Sequence, residues 1–429
     1  MDNLAIELNQ SLEKNKAIFN LLSLKGKEMY YPTKGILSQT KEASGKEINA
    51  TIGMAFNENG DILCLDSIKK NVSLKGEEIV AYAPSFGTIE LREKWKEEIL
   101  KKNPSIESKI SLPIVSCALT HALSTIGFLF LNEGDEIIMP DLFWGNYRLI
   151  FEKWFGAKIK TFETFDSNGN FNTKGLKERL SVGSNKKIVL FNFPNNPTGY
   201  TPSIDEADKI IEVVKEEAEK GSNILCIIDD AYFDLVYEEV IIKESIFSKL
   251  SKIHENVLAV KIDGATKEYY AWGLRIGFIT YGTKNNKTTS EIYTSLEAKT
   301  AGAIRGNISN APRLSQTLLL KALNDPLIPK EKKKYYLLLK NRYEKVREVL
   351  CNEKYKGHFK ALPFNSGYFM CICMKNVDAE EVRKELLKNY STGVIAIGDK
   401  LRIAFSAVPT EDIEKLFENI YLACMELEK

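Results

Sequence analysis

Short apolar runs alternate with amphipathic stretches through the middle of the chain. The runs that predict strands are residues 113–117, 136–139, 157–162, 187–193, 224–229 and 257–262. Several of these runs are continuously apolar, which is the pattern of a strand whose two faces are both buried. The stretches with helical periodicity between them are residues 120–131, 144–155 and 201–220. This alternation predicts an α/β fold, in which a largely parallel sheet is covered by helices on both faces.

The helix predicted at residues 201–220 has recognisable ends. Pro202 suits a first helical position, and Gly221 suits the end of the helix. The apolar residues between them recur at helical spacing and form one stripe. In sheets of this kind, ligands bind at the carboxyl ends of the strands. The residues that follow each apolar run are therefore the candidates for chemistry.

The two ends of the chain have a different pattern. Residues 1–51 are polar and lysine-rich, with one amphipathic stretch at residues 4–24. Near the other end, Pro326 and Pro329 precede a long stretch of helical spacing. The strand-like runs that follow this stretch are residues 368–374 and 401–405. We therefore predict a large domain at residues 53–326 and a smaller α+β domain formed by residues 1–52 and 327–429.

Charge and hydropathy narrow the classes of function. The 429 residues include 59 Lys and Arg against 58 Asp and Glu, so the formal net charge is only +1. Such a balance gives no overall field that would attract nucleic acid or an anionic membrane. The longest apolar run, residues 126–131, is far short of the ~20 residues that span a bilayer. The N-terminus lacks a basic segment followed by an apolar one, so we expect a cytoplasmic protein.

Cysteine and histidine usage argues against several kinds of site. The seven cysteines are scattered without any C-x-x-C pair, and the three histidines are far apart. This pattern indicates neither a disulfide framework nor a zinc site, and it leaves little from which to build a Ser-His-Asp triad. The glycine patterns G-x-G-x-x-G, G-x-x-x-x-G-K-[ST] and G-x-S-x-G are also absent. We therefore expect no metal site, no Rossmann or Walker phosphate loop, and no serine hydrolase.

Four residues that could take part in binding or catalysis follow the predicted strands. Asn196 lies in the turn Phe-Pro-Asn-Asn-Pro-Thr-Gly, and Asp229 ends the next buried strand. Lys267 follows the run at residues 257–262, and Arg275 stands eight residues further on. Each has an ordinary alternative: a rigid turn, a helix cap or a surface charge. Taken together, however, they place an amide, a carboxylate, an amine and a guanidinium at the same edge of the sheet.

In this order and spacing, the four motifs resemble the pyridoxal-phosphate aminotransferases of fold type I, class I and II. The intervals of 33 residues from Asn196 to Asp229 and 38 from Asp229 to Lys267 look like those of the family. The segments that bring the chain closest to aspartate and aromatic amino-acid aminotransferases are residues 49–53, 143–147 and 304–310. The resemblance covers roughly residues 48–405. It implies a mostly parallel seven-stranded sheet in the large domain, and pyridoxal 5′-phosphate as cofactor.

The resemblance also implies roles at the cofactor. Lys267 would bind the cofactor covalently and then move the proton released from the substrate. Asp229 would pair with the pyridine nitrogen, and Asn196 and Tyr232 would hydrogen-bond the ring hydroxyl oxygen. The residues expected elsewhere on the cofactor are Trp144 against the ring, Arg275, Leu119, Thr120 and Thr266 around the phosphate, and Tyr82 reaching the phosphate of the neighbouring subunit. Trp144 and Tyr82 have the alternative of ordinary packing.

Substrate recognition follows from the same resemblance. Arg402 would clamp the α-carboxylate with two parallel hydrogen bonds, and Gly53 would let the backbone approach the substrate. Arg305 would pair with a distal carboxylate across the subunit interface, which favours a dicarboxylate such as 2-oxoglutarate in one half-reaction. The cross-subunit parts of Tyr82 and Arg305 require a homodimer. A surface role is the alternative for Arg305.

The chain departs from the family pattern at the phosphate. The usual glycine-rich turn is replaced by Ala118, Leu119 and Thr120, and a serine usual before the lysine is replaced by Gly264. His121 would either touch the phosphate or cap a helix. These changes leave the affinity for the cofactor open.

Three other kinds of function remain to be weighed against an aminotransferase. A β-lyase on the same fold, such as a carbon–sulfur lyase, would use the same lysine and aspartate. A ligand sensor would need an added DNA-binding domain, for which the chain has neither room nor a basic patch. A purely structural protein would not need Lys267, Asp229 and Arg275 at strand ends. The pair of Arg402 and Arg305 favours an aminotransferase that acts on aspartate, glutamate or an aromatic amino acid.

Overall fold

The computed structural model describes residues 2–32, 36–284 and 287–429. The strands in chain order are β1 Ile48–Asn49, β2 Ile114–Ser116, β3 Glu136–Pro140, β4 Lys158–Phe162, β5 Lys186–Asn192, β6 Asn223–Asp229, β7 Val257–Asp263, β8 Gly277–Gly282, β9 Phe359–Ala361, β10 Met370–Met374, β11 Thr392–Gly393, β12 Ile395–Ile397 and β13 Lys400–Ile403. Within the described ranges, seven of these strands form the central sheet, in the order β2-β8-β7-β6-β5-β3-β4.

The central sheet is mostly parallel, which confirms the prediction from the apolar runs. Strands β4, β3, β5, β6 and β7 pair in parallel. Strand β8 runs antiparallel to both of its neighbours, β7 and β2. The inner strands β5 and β6 are buried along almost their whole length. Helices on both faces exclude water from them, which explains their continuously apolar sequences.

Helices surround this sheet and fill both chain ends. They are α1 Asn3–Leu12, α2 Lys16–Leu21, α3 Leu24–Glu28, α4 Ile36–Glu42, α5 Asp66–Lys69, α6 Gly76–Val80, α7 Ile89–Lys102, α8 Ala118–Phe130, α9 Thr173–Leu180, α10 Ile204–Glu219, α11 Phe247–Leu250, α12 Ala265–Glu268, α13 Thr289–Asn307, α14 Arg313–Leu323, α15 Ile328–Leu350, α16 Ala379–Asn389 and α17 Ile413–Leu427. The other helical segments are a π-helix at Arg148–Trp154 and 3-10 helices at Trp272–Leu274, Glu353–Tyr355, Phe405–Ala407 and Thr410–Asp412.

Three helical predictions differ from the structure in detail. The amphipathic stretch at residues 4–24 is divided among α1, α2 and α3, because the side chains of Asn15 and Ser23 accept backbone hydrogen bonds and start new helices. Within the stretch at residues 144–155, residues Arg148–Trp154 form a π-helix rather than an α-helix. Pro202 does not occupy the first helical position of α10, because Ser203 caps that helix in a reciprocal box with Glu206. Gly221 follows the end of α10 with φ +98°, as expected for a helix stop.

The two chain ends meet in smaller sheets. Strand β1 pairs in parallel with β11, so residues near position 48 lie beside residues near position 392. A second sheet has the order β12-β13-β10-β9 and is antiparallel. Helix α15, with Pro329 in its first turn, connects the region of the central sheet with this small sheet. The division into domains at residues 53 and 326 remains a prediction.

Among the described residues, no helix is both long enough and apolar enough to cross a membrane.

Candidate active site

A cavity of about 350 Å³ lies where β5, β6 and β7 end. These strands pair in register, with Asn192 opposite Asp229 and Asp229 opposite Ile262, so the side chains after them converge on one edge of the sheet. The residues predicted from the sequence that line the cavity are Gly53, Leu119, Thr120, Trp144, Asn196, Asp229, Tyr232, Thr266, Lys267, Arg275 and Arg402. The fold therefore brings together most of the candidate residues.

Lys267 occupies the short helix α12, directly after β7. Its Nζ lies 5.0 Å from the centroid of the Tyr232 ring. Burial lowers the pKa of the Lys267 amine to about 8, the Asp229 carboxylate opposes this change, and Arg275 adds to it. Because the neutral amine is the nucleophilic form, this environment prepares Lys267 to attack a carbonyl carbon near neutral pH.

Asp229 ends β6 inside the protein. Its Oδ2 accepts a hydrogen bond of 2.6 Å from the Tyr147 hydroxyl, and its Oδ1 accepts one of 3.1 Å from the backbone N–H of Ala231. Burial raises the pKa of Asp229, while the Tyr147 hydrogen bond and the charge of Lys267 lower it. The carboxylate is thus fixed in orientation. The sequence pattern predicts no role for Tyr147, although this residue ends the segment 143–147 that contains Trp144.

Asn196 is held by a second residue that sequence reasoning missed. Its backbone N–H donates to Oδ1 of Asn192 over 2.9 Å, and Nδ2 of Asn192 donates to the backbone carbonyl of Asp229 over 2.8 Å. Asn192 therefore ties the turn after β5 to the end of β6. The position of Asn192 could have indicated this role, because it is a polar residue at the end of a buried strand, in register with Asp229.

Arg402 is buried at the opposite wall, on β13. Its Nη2 donates to the Thr51 carbonyl over 2.9 Å, and its Nη1 lies 3.5 Å from Oδ1 of Asn196. The guanidinium sits 4.4 Å from the centroid of the Phe369 ring, and burial lowers its pKa. Its Nε has no hydrogen-bond partner, and no carboxylate of the described residues forms an ion pair with it. A buried cation without a counter-ion suits an anionic ligand.

The third wall offers donors for an anion. Helix α8 begins at Ala118, whose φ of +63° keeps the left-handed backbone that a glycine adopts more easily, and Leu119 and Thr120 in its first turn line the cavity. The first N–H groups of a helix attract phosphate. Thr266 Oγ1 and Trp272 Nε1 are buried without a hydrogen-bond partner. These groups, with the exposed Arg275, fit a phosphate ester.

Gly264 and His121, which lie where the chain departs from the family pattern, each have a structural role. A Cβ added at Gly264 would lie 2.5 Å from the Ile276 carbonyl oxygen and 2.9 Å from Cα of Gly277, so the strand leaves no room for a serine there. His121 adopts the capping alternative, because its Nδ1 accepts a hydrogen bond from the Cys117 N–H over 3.1 Å. The glycine therefore serves packing, and the histidine serves the start of α8.

Some predicted residues lie at the margin of the cavity or outside it. Trp144 is half-buried, lines the cavity and contacts the Tyr147 ring edge-on at a centroid distance of 5.5 Å. A Cβ at Gly53 would meet only the Phe369 ring, at 3.6 Å. Tyr82 is 90% exposed, and Arg305 is exposed on α13; neither lines the cavity of its own chain. Their cross-subunit roles remain predictions.

The described residues contain no group of His, Cys, Asp and Glu side chains arranged to hold a metal ion.

Comparisons with known proteins agree with one another. A family model described as aminotransferase class I and II matches residues 49–420. The chain is 27% identical over 349 residues to a probable aspartate/prephenate aminotransferase of Aquifex aeolicus, covering 79% of this chain and 81% of that protein. It is 26% identical over 370 residues to an aspartate aminotransferase of Bacillus subtilis, covering 85% and 87%. The crystal structure of an aminotransferase from Anaerococcus prevotii superposes with a TM-score of 0.82 at 28% identity, covering 95% of this chain and 100% of that one.

Proposed function

The chain belongs to the class I and II aminotransferase family, whose members use pyridoxal 5′-phosphate, and we propose that it transfers an amino group between aspartate, glutamate or an aromatic amino acid and a 2-oxo acid such as 2-oxoglutarate. One observation supports this proposal above the others. Lys267, Asp229 and Arg402, which has no ion-pair partner among the described residues, share one cavity, so an amine, a carboxylate and a carboxylate-binding cation can act on the same small molecule.

The cavity fits the cofactor group by group. Bound pyridoxal 5′-phosphate supplies a carbonyl that condenses with amines and a ring that accepts the electrons released at the substrate Cα. Lys267 would hold the carbonyl carbon, and Asp229 would hold the proton on the ring nitrogen. The donors of α8, Thr266, Trp272 and Arg275 would bind the phosphate.

Each half of the reaction requires a proton transfer at the substrate Cα. Lys267 Nζ, displaced by the substrate amine, would remove the proton from the substrate Cα, since its lowered pKa leaves the neutral base available. Asn196 and Tyr232 would hydrogen-bond the ring hydroxyl oxygen. Trp144 would cover the ring and exclude water from one face.

Arg402 supports an amino-acid substrate. Its guanidinium is oriented by Thr51 and Phe369, and an α-carboxylate would supply the counter-ion that the described residues do not. Gly53 would keep the space beside this carboxylate free.

The choice of a dicarboxylate rests on a second subunit. We propose a homodimer in which Arg305 of the partner subunit binds the distal carboxylate and Tyr82 of the partner subunit reaches the phosphate. The exposure of both side chains in a single chain is consistent with this arrangement. Relatives named as aspartate aminotransferases also support a dicarboxylate substrate. The cytoplasmic location belongs to the same proposal.

An absorption spectrum tests the reaction. Purified protein loaded with pyridoxal 5′-phosphate is mixed with single amino acids, with Lys267→Ala as control. We expect the band of the bound cofactor to bleach with aspartate, glutamate or an aromatic amino acid and to return with 2-oxoglutarate. Release of pyruvate or ammonia while the band persists would identify a β-lyase instead. A protein that takes up no pyridoxal 5′-phosphate would contradict the proposal.

A further inference from the structure

A second, larger cleft of about 700 Å³ lies against the helix that holds Lys267. Helices α7, α12 and α15 all contribute to its walls, and it contains none of the residues proposed to touch the cofactor. Among its lining residues is Glu268, the immediate neighbour of Lys267 in α12. The side chain of Glu268 is only 3% exposed, so its carboxylate must be neutralised from within the protein.

Two lysines from two different helices neutralise Glu268. Its Oε1 accepts hydrogen bonds from Nζ of Lys102, at the end of α7, over 2.5 Å and from Nζ of Lys332, near the start of α15, over 2.9 Å. Burial raises the pKa of Glu268, but the two lysines outweigh it and lower the pKa to about 2. The carboxylate is therefore charged at every physiological pH, and one oxygen atom joins three helices.

Aromatic rings and a further carboxylate hold the two lysines in place. Lys332 also donates to Oδ2 of Asp234 over 2.9 Å and lies 4.4 Å from the centroid of the Tyr269 ring. Lys102 lies 5.2 Å from the centroid of the Trp95 ring. Each ammonium thus has a cation–π contact beside its ion pair, which favours one position for each side chain.

An equivalent anchor lies beside Asp229. Lys261, fully buried on β7, forms an ion pair with Asp230, the residue after Asp229, and lies 3.4 Å from Asp263. The Trp95 Nε1 donates to Asp263 over 3.0 Å. The residue that follows each of Asp229 and Lys267 in the chain is therefore a buried carboxylate paired with lysine.

Helix α12 needs such an anchor. It has four residues, its first residue has no side-chain cap, and a helix of this length is not stable by itself. We propose that Glu268 is a positioning residue: held by Lys102 and Lys332, it fixes α12 so that the Lys267 amine faces Asp229 and the substrate. The inference rests on the proposed function of Lys267. A displacement of a reacting group by about 1 Å can cost about 10²-fold in rate, so the anchor has a measurable consequence.

Holoenzyme variants test this inference. Glu268→Gln keeps the shape but removes the charge, Lys332→Met removes one partner, and Lys332→Arg retains its charge. Lys333→Met is the matched control, because Lys333 lines the same cleft, is exposed and forms no ion pair among the described residues. The readouts are kcat and KM for the fastest of aspartate, phenylalanine and tyrosine with 2-oxoglutarate, the pH midpoint of the cofactor band, and thermal unfolding.

We expect Glu268→Gln and Lys332→Met to lower kcat at least about ten-fold with KM within about two-fold, while Lys332→Arg and Lys333→Met stay near wild type. The band midpoint of Glu268→Gln moves to lower pH, since loss of the Glu268 carboxylate makes the surroundings more positive and disfavours a protonated nitrogen on Lys267. If Glu268→Gln does not fold, the contrast between Lys332→Met and Lys332→Arg decides in its place.

Folded variants with unchanged kcat and band midpoint would overturn the positioning role while wild-type transamination stands. Equal losses in Lys332→Met and Lys332→Arg would also overturn it. If the wild type instead binds pyridoxal 5′-phosphate but acts as a lyase, the proposed function fails, and the band midpoints still decide the role of Glu268.

Discussion

The hydroxyl of Tyr147 donates a 2.6 Å hydrogen bond to the carboxylate of Asp229, and both groups are buried. Burial, together with the charge of Asp229, raises the pKa of Tyr147 well above its ordinary value, so this hydroxyl remains a donor throughout the physiological range. Burial raises the pKa of Asp229, and the hydrogen bond from Tyr147 lowers it. Tyr147 therefore helps to orient Asp229 and favours its ionised form.

Replacing Tyr147 by Phe is expected to weaken cofactor binding. The substitution removes the hydrogen bond that lowers the pKa of Asp229, so less of the carboxylate is ionised to pair with the ring nitrogen. The net loss of one hydrogen bond to a charged group is about 1.5–3 kcal/mol, or on the order of ten- to a hundred-fold in the dissociation constant of pyridoxal 5′-phosphate. Equilibrium dialysis measures this constant. Tyr390→Phe is the control, since Tyr390 donates a 2.7 Å bond to Glu426 at the surface; an equal loss in both variants would contradict a specific role.

The lowered pKa of Lys267 predicts how cofactor uptake depends on pH. Only the neutral amine attacks the carbonyl, and burial brings the pKa down to about 8, so the neutral form predominates above that pH. Below it, the rate of uptake falls about ten-fold for each pH unit. Stopped-flow absorbance of apoprotein mixed with pyridoxal 5′-phosphate gives the midpoint, and Lys267→Ala gives the background. A midpoint near that of an ordinary exposed lysine would contradict the influence of burial.

Arg402→Gln is expected to separate substrates by their α-carboxylate. The variant loses a buried charge-assisted pair, which costs about 3–5 kcal/mol, or on the order of 10²–10⁴-fold in kcat/KM for phenylalanine. The reaction with 2-phenylethylamine, which has no carboxylate, changes far less. Arg347→Gln is the control, because the side chain of Arg347 is 56% exposed and lies outside the cavity. Equal losses for both amines would assign Arg402 a role in folding rather than in carboxylate binding.

The fold was predictable where burial leaves a simple pattern. Strands β5 and β6 are covered on both faces, so their continuous apolar runs marked them to within about a residue. Strand β8 escaped because it begins and ends with glycine and has Thr280 between, which interrupts its apolar run. The N-terminal stretch is broken by side-chain caps at Asn15 and Ser23. These side chains hydrogen-bond to the backbone and so compete with one continuous helix, and hydrophobic periodicity carries no information about this competition.

The candidate site was predictable for residues that follow strands in a known order. Tyr147 was missed because it reaches Asp229 across 82 positions of sequence, and only the folded chain brings the residue before the π-helix to the end of β6. Glu268 was missed for a related reason. An acid after a lysine looks like surface charge until α7 and α15 place two further lysines around it.

Gly264→Ser is expected to destabilise the protein rather than to improve cofactor binding. The new Cβ would lie 2.5 Å from the Ile276 carbonyl oxygen, which belongs to the backbone and cannot rotate away. Such overpacking costs about 1–3 kcal/mol in the free energy of unfolding, measured by urea denaturation. Gly273→Ser is the matched control nearby, because a Cβ there meets nothing within 4 Å. A Gly264→Ser protein with wild-type stability and tighter cofactor binding would show that the missing hydroxyl matters more than the packing.

Mixed dimers test whether two chains share each active site. Lys267→Ala and Arg305→Ala are each expected to be inactive with aspartate, but a hybrid dimer would combine an intact Lys267 from one chain with an intact Arg305 from the other. Random exchange makes about half of the dimers hybrid, each with one complete site of two, so about a quarter of wild-type activity returns.

Lys267→Ala mixed with Arg402→Gln is the control for this exchange. Arg402 and Lys267 line the cavity of the same chain, so no hybrid of these two variants contains a complete site. Native mass spectrometry measures the hybrid fraction in both mixtures. Hybrids that form without recovering activity in the Arg305→Ala mixture would show that Arg305 does not act across the interface. Recovery in that mixture, and none in the control, would assign the distal carboxylate to the partner subunit and so explain why Arg305 lies outside the cavity of its own chain.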